Sequence, residues 1–174
     1  MMALQTRPAG DQAVGLDEVK AFLRIDGAEE DALLAGFVRT ATDLAEAFTG
    51  QKLLVRDFTE RVACVSTWQR LAATPVVAID GIDGSAGALP GIAYEVDIDL
   101  SGDGWVRIVT SADRHATVRY RAGMAADWNG IPEALRLGIV RLVSHFYMHR
   151  DAPDVGSAPT AVAALWRPWR RLRL

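Results

Sequence analysis

Apolar residues recur every three or four positions at both ends of this chain, as they do on the buried face of an amphipathic helix. One such stripe covers residues 16–25, and a stronger one covers residues 28–49 and stops at Gly50, a residue suited to end a helix. Asp26 and Glu29 have capping-box spacing, which predicts that the second helix starts near residue 28. A third stripe follows Pro132 and predicts a long C-terminal helix over 132–150.

The pattern changes to alternation between residues 53 and 121, where β-branched residues are frequent and Gly and Asp separate the runs. Strands are predicted at 53–65, 76–82, 93–100, 105–110 and 117–120. Short strands joined by turns of this kind favour hairpins. The sequence therefore predicts an α+β fold in which a helical core carries an inserted small antiparallel sheet.

The predicted organisation has three parts. Residues 1–14 are small and polar and are expected to form a flexible lead-in, residues 15–151 the body, and residues 152–174 a linker followed by an extended C-terminal arm. Pro168 would break any helix that began near Ala161. A chain of 174 residues is long enough to bury one sizeable core in addition to such an arm.

The net charge of −3 conceals a segregation of charge along the chain. Residues 1–154 carry 15 basic and 22 acidic groups, whereas residues 155–174 carry four arginines and no acid. The body should therefore repel DNA, and only the C-terminal end should attract a polyanion. The single Cys64 excludes an intrachain disulfide, and no apolar run approaches the roughly 20 residues that span a bilayer, so a soluble protein of a reducing compartment is expected.

The last ten residues, here called the C-terminal segment, combine two of the five tryptophans with those four arginines. Tryptophan and arginine are enriched at the centres of protein interfaces, so the segment is predicted to dock on a partner. One alternative is that its tryptophans fold back onto the chain's own core, and another is that its arginines contact nucleic acid. The residues concerned are Leu165, Trp166, Arg167, Trp169, Arg170, Arg171, Leu172, Arg173 and Leu174.

A second candidate surface is acidic. Between Leu71 and Val106 the chain has six acids and no Lys or Arg, which predicts either a solvated face or a surface that must not adhere to its neighbour. The aspartates of this surface are Asp80, Asp83, Asp97, Asp99 and Asp103.

Catalytic and metal chemistry find little support in the sequence. Residues 97–104 match the first half of a calcium-binding loop, but Ile108 stands where a bidentate Glu is needed, so an acidic β-turn is the better interpretation. His145 and His149 are four residues apart on one helix but have no third ligand at a suitable spacing. No motif suggests that Cys64 is an activated thiolate. We therefore expect no enzyme, no cofactor and no metal.

Five stretches taken together resemble the small head-tail connector, or adaptor, proteins of tailed phages and gene transfer agents, and are most similar to those of gene transfer agents. The resemblance is strongest in the helical ends of the chain and weak in the sheet. The stretches are residues 16–26 (LDEVKAFLRID), 29–34 (EEDALL), 45–50 (AEAFTG), 131–136 (IPEALR) and 144–150 (SHFYMHR).

The resemblance implies a structural virion protein at the head-tail joint. Such a protein forms a homo-oligomeric ring, a dodecamer by analogy with the portal, between the portal and a neck, stopper or tail-terminator protein, and DNA passes through its lumen without sequence-specific binding. The C-terminal arm of such adaptors docks on the portal, which agrees with the prediction for the C-terminal segment. The acidic surface would face either the lumen or the tail-side partner. The alternative function is a small nucleic-acid-binding module that uses its basic C-terminus.

Overall fold

The structure is a computed structural model that describes residues 3–5, 13–150 and 158–171. The chain divides into two compact units, and each is described separately. The β unit contains Leu54–Met124 together with the N-terminal strand, and the helical unit contains Gly10–Leu53 and Ala125–Leu174. The described part of the C-terminal segment thus belongs to the helical unit, whereas the sequence had predicted one body with a separate arm.

In its described residues the helical unit has four α-helices, and the buried faces of the second and third supply most of its apolar core. Leu34, Val38 and Ala45 of one helix and Leu135 and Ile139 of the other are fully or almost fully buried. The helices are α1 Ala13–Leu23, α2 Asp31–Thr49, α3 Glu133–Met148 and α4 Thr160–Trp166.

The ends of the helices confirm one prediction and correct another. Gly50 adopts a left-handed conformation with φ of 71° and its N–H donates to the carbonyl of Glu46, so it ends α2 as predicted. The predicted start of α2 at residue 28 is wrong. Residues 28–31 form a turn, the N-cap position is Glu30, and no side chain caps the helix there.

The described residues of the β unit form two antiparallel sheets, where a single small sheet was predicted. The five-stranded sheet has the order β1-β2-β8-β4-β5, and the three-stranded sheet has the order β3-β7-β6. The strands are β1 Ala3–Gln5, β2 Arg56–Ala63, β3 Gln69–Arg70, β4 Val76–Gly84, β5 Gly87–Ala88, β6 Tyr94–Ile98, β7 Gly104–Ile108 and β8 His115–Ala122. The α+β class is confirmed, and each of the five predicted strand regions overlaps an observed strand.

Alternation along the strands builds the core of the β unit. Val118 and Tyr120 of β8 are buried, whereas the alternate residues Arg119 and Arg121 are exposed. Glu60 of β2 is buried as well, and its carboxylate accepts hydrogen bonds from the Tyr120 hydroxyl at 2.9 Å and from the Ala72 N–H at 2.8 Å. These bonds offset part of the cost of placing a carboxylate inside an apolar core.

The predicted extended arm is corrected by the structure over residues 160–169, which form α4 and a following 3₁₀ turn, Arg167–Trp169. Pro168 does end the α-helix, since α4 stops at Trp166. In the predicted lead-in, residues 3–5 form β1 and α1 begins at Ala13, while residues 6–12 lie outside the described part of the chain.

Two glycines in helices provide a matched test of the packing of α4. A Cβ atom on Gly138 of α3 would lie only 2.1 Å from Nε1 of Trp166, whereas one on Gly36 of α2 would meet nothing closer than the Arg39 guanidinium at 3.8 Å. We expect Gly138→Ala to lower the free energy of unfolding by about 1–3 kcal/mol, because the crowding outweighs the gain in helix propensity. Gly36→Ala should raise it by up to about 1 kcal/mol.

Denaturant unfolding followed by far-UV circular dichroism measures both changes. Equal stability of the two variants would show that Trp166 does not pack against α3 in solution.

Candidate interaction surfaces

Trp166 is the predicted anchor whose position differs most from expectation. Its side chain is completely buried in the helical unit, and its indole N–H donates to the carbonyl of Leu135 at 3.3 Å. The ring also lies 5.9 Å from the ring of Phe48, measured between centroids. Trp166 is therefore a core residue of its own chain, which was the fold-back alternative, and it is not accessible as an anchor for a partner.

Two hydrogen bonds, one from a side chain and one from the backbone, hold the rest of the described segment against the end of α2. The Gln51 side-chain amide donates to the carbonyl of Trp169 at 2.6 Å, and the Arg171 N–H donates to the carbonyl of Thr49 at 2.8 Å. The carbonyl of Arg171 also lies 3.2 Å from the position that a Cβ on Gly50 would take. The segment up to Arg171 is thus an ordered part of the helical unit.

The charged side chains of the segment remain on the surface. Arg167 and Arg170 are exposed, and the Arg170 guanidinium lies 5.6 Å from the centroid of the Phe48 ring. Leu165, Trp169 and Arg171 are half-buried. Leu172, Arg173 and Leu174 lie outside the described residues. Docking of this basic surface on a portal stays a prediction.

Two of the five predicted acidic-surface aspartates form ion pairs across the five-stranded sheet. Asp83 accepts a hydrogen bond from Nε of Arg119 at 2.7 Å, and Asp80 lies 3.2 Å from the Arg121 guanidinium. Both arginines belong to β8, which neighbours β4 in the sheet but stands outside the acidic stretch of sequence. Pairing with β8 therefore offsets much of the charge that the linear sequence had suggested.

Two further aspartates organise the turn between β6 and β7. The Asp99 carboxylate accepts hydrogen bonds from the backbone N–H groups of Ser101 and Asp103 and from the Trp105 indole N–H, at 2.8, 3.0 and 3.0 Å. Asp103 in turn forms an ion pair with Arg70 at 2.8 Å. The stretch that matches half of a calcium loop is thus a turn whose carboxylates bind their own chain.

Asp97 is the remaining member of the acidic surface. It is exposed, and within residues 3–5, 13–150 and 158–171 its carboxylate has no ion pair or hydrogen bond. A role for the five aspartates in lining a lumen or facing a tail-side partner stays a prediction.

The histidine pair is brought together by α3. The rings of His145 and His149 are 4.4 Å apart between centroids, and Nδ1 of His149 lies 2.9 Å from the carbonyl oxygen of His145. In the part of the chain that the structure describes, no group of three or more His, Cys, Asp or Glu side chains is placed to hold a metal ion. None of the described helices is long and apolar enough to cross a membrane.

Sequence reasoning missed an exposed apolar strip along the β6 edge of the β unit. We call it the β6 strip, and its residues are Ile92, Val96, Ile98 and Leu100. The alternation of residues 94–98 was visible, but it predicts a buried face only if another layer covers the strand. In the described part of the chain β6 is an edge strand, and no local pattern in the sequence indicates this position.

The turn around Asp99 generates a pH-dependent prediction. The Trp105 indole, followed by the Asp103 N–H, lowers the pKa of the Asp99 carboxyl from its ordinary value of 3.8. A lowered pKa means that the ionised group stabilises the fold above about pH 4 and loses this contribution as the pH falls through the folded-state pKa. Asp99→Asn should therefore lower the melting temperature at pH 7, and its difference from the wild type should shrink near pH 3.

Thermal unfolding at the two pH values checks this expectation, with Asp97→Asn as the matched control because Asp97 lacks such partners among the described residues. A pH-independent loss in Asp99→Asn, or an equal loss in Asp97→Asn, would contradict the assigned role of Asp99.

Comparison with known proteins supports the resemblance seen in the sequence. Residues 14–79 match the sequence model of the family described as phage gp6-like head-tail connector protein. The matched range covers α1, α2 and the first part of the β unit, which is less than half of the chain. No curated protein matches the sequence.

Solved structures match the chain over its whole length. The chain is similar to one in the neck of an empty gene transfer agent (GTA) particle computed with C6 symmetry, and to one in the virion of the native GTA particle. Each likeness has a TM-score of 0.79 and 22% identity and covers 100% of this chain and 97% of the other. A chain in the neck of the native GTA particle computed with C12 symmetry matches with a TM-score of 0.75 and 20% identity, at the same coverage. At these identities the likeness establishes the fold, which is similar to that of a chain in the GTA neck.

Proposed function

We propose that this protein is a structural adaptor at the head-tail joint of a phage-like particle. Its subunits form a ring that joins the capsid portal to the neck or tail and surrounds the channel for DNA. The observation that carries the proposal is the whole-length fold match to a chain in GTA necks, with 100% of this chain and 97% of the other covered. The match of residues 14–79 to a head-tail connector family supports it independently.

The symmetries of the similar structures favour a ring of twelve. One neck was computed with C6 symmetry and another with C12 symmetry, and a dodecamer is compatible with both. A closed ring presents one rim to the portal and the other to the next component, either a neck or stopper protein or a tail terminator. DNA would pass through the lumen without sequence-specific contacts.

The C-terminal segment is the proposed contact with the portal. Its exposed cations stand on a backbone that Gln51 and the end of α2 hold in place, so little order has to be gained on binding. Trp166 contributes by fixing α4 rather than by entering a portal cleft. Repetition around a ring would raise the affinity of a modest single contact through effective concentration.

The acidic surface would either line the lumen or face the tail-side partner. Arginines on β3 and β8 pair with three of its aspartates, so the surface would present a small negative charge to DNA in the lumen or to the tail-side partner. Weak repulsion of this kind would let DNA slide without being held.

Charge reversal in the C-terminal segment tests the portal contact without disturbing the core. We expect Arg167→Glu combined with Arg170→Glu to reduce retention on portal complexes from the same source at least tenfold, because both side chains are exposed cations. A pull-down with quantified bound protein measures the change. Arg39→Glu combined with Arg141→Glu is the matched control, since these arginines are exposed on α2 and α3 of the same unit.

Each outcome of the pull-down tests a different part of the proposal. Equal retention of both variants would reject the C-terminal segment as the contact and leave the adaptor role intact, whereas failure of the wild-type chain to bind would reject the adaptor role. Steeply salt-dependent binding of the wild type to duplex DNA, lost in the Arg167/Arg170 variant alone, would instead favour the nucleic-acid module. Deletion after Ala164 is unsuitable, because it removes Trp166 from the core.

A further inference from the structure

The β6 strip consists of aliphatic side chains that are exposed to solvent. Ile92 is 92% exposed and Leu100 110%, while Val96 and Ile98 are 42% and 39% exposed. Together these side chains present roughly 400 Å² of apolar surface, which is within the range of the largest patches on ordinary monomers. Patches of this size are often functional.

The strip lies on the same face of the three-stranded sheet as buried core residues and extends that apolar face to the surface. Val96 is paired with the fully buried Val106 across β6 and β7, so the two side chains lie on the same face of the sheet. Ile98, two residues further along, shares this face.

Charged side chains are kept off this face. Positions 92, 94, 96, 98 and 100 carry no charged residue, and the alternate Glu95 and Asp97 stand on the opposite face of β6. Glu95 is held there by Arg107, whose Nη2 donates to it at 2.6 Å. Depletion of charge around an apolar centre is the composition of an interface core.

The edge of β6 has only part of the usual protection against pairing with another chain. Exposed edge strands are commonly blunted by charged side chains, especially lysine, by proline or by a bulge. Residues 94–98 contain the acids Glu95 and Asp97 but neither lysine nor proline, and their register with β7 is continuous. Within the described residues β7 is the one strand that pairs with β6, so the other edge is open.

We propose that the β6 strip is the surface through which each chain contacts a second copy of itself, the next subunit of the ring. This inference rests on the proposed adaptor function and specifies the subunit contact. A ring requires two different faces on each subunit, so every copy of the strip meets another part of its neighbour and all strips become covered. Its area supplies much of the roughly 800 Å² that each partner contributes to a stable interface.

The negative charge of Asp97 indicates that the facing surface of the neighbouring subunit carries a positive charge. Asp97 extends from the opposite face of β6 at the same strand edge and has no ion pair within the described residues, so an arginine of the neighbouring subunit at this edge would complete the contact. The chain has exposed arginines for which the described residues provide no ion pair, among them Arg24 and Arg114. A second copy therefore offers the required charge.

A carboxylate placed in the strip tests the contact. Leu100→Asp and Ile98→Asp should each weaken self-association of the complete chain at least tenfold, as measured by sedimentation velocity over a concentration series and by ring formation on portal complexes. Val77→Asp is the matched control, because Val77 is 51% exposed on β4 and lies outside the strip. Circular dichroism verifies that each variant is folded. If Ile98→Asp unfolds, Leu100→Asp still tests the contact.

Photo-crosslinking identifies the neighbour directly. Cys64 is the single cysteine, so Cys64→Ser with Leu100→Cys allows one benzophenone label on the strip, and Ala86→Cys in the same background labels an exposed turn as control. Crosslinks between two copies, in the free chain or on the portal, support the proposal. Crosslinks to portal or tail-side protein alone, no crosslink above the control, or unchanged association of the Asp variants would overturn it.

These outcomes are separable from failure of the adaptor role. A chain that joins the portal but crosslinks elsewhere rejects the β6 strip alone, whereas a chain that never joins the portal rejects the proposed function.

Discussion

The packing of Trp166 against α3 is the contact on which the C-terminal part of the helical unit depends. The indole occupies space that exists only because position 138 has no side chain, and its N–H is bonded to the carbonyl of Leu135. Complete burial of so large a side chain is worth several kcal/mol. Residues 158–171 are consequently ordered by their own domain, and their exposed arginines are presented from a fixed position.

In the proposed adaptor ring, a fixed basic surface would have one advantage over a free arm. Each ring subunit would present the same cations at the same height, so that many weak contacts add without a large loss of conformational entropy. The β6 strip would have a different role in the proposed ring. Contacts between neighbouring subunits would have to hold that ring closed, and apolar area at a strand edge provides this better than surface charge, which salt screens.

The charges of the β unit show how a sheet rearranges what is separate in the chain. Asp80 and Asp83 appear in a stretch without basic residues, yet β8 brings Arg119 and Arg121 beside them. Asp99 serves the turn in which it lies, where the Trp105 indole and two backbone N–H groups hold it. An acidic run in a sequence is therefore weak evidence for an acidic surface when the neighbouring strand is unknown.

By itself, the sequence determined the features that depend on nearby residues. The helical stripes, the stop at Gly50, the strand regions and the end of a helix before Pro168 follow from local periodicity and backbone chemistry, and so does the resemblance to connector proteins. Tertiary structure decided whatever depends on distant partners: the burial of Trp166 against Gly138, the pairing of β4 with β8, the division into two sheets and the exposure of the β6 strip. The physical reason is that burial and ion pairing are properties of neighbours in space, and the chain records only neighbours along its length.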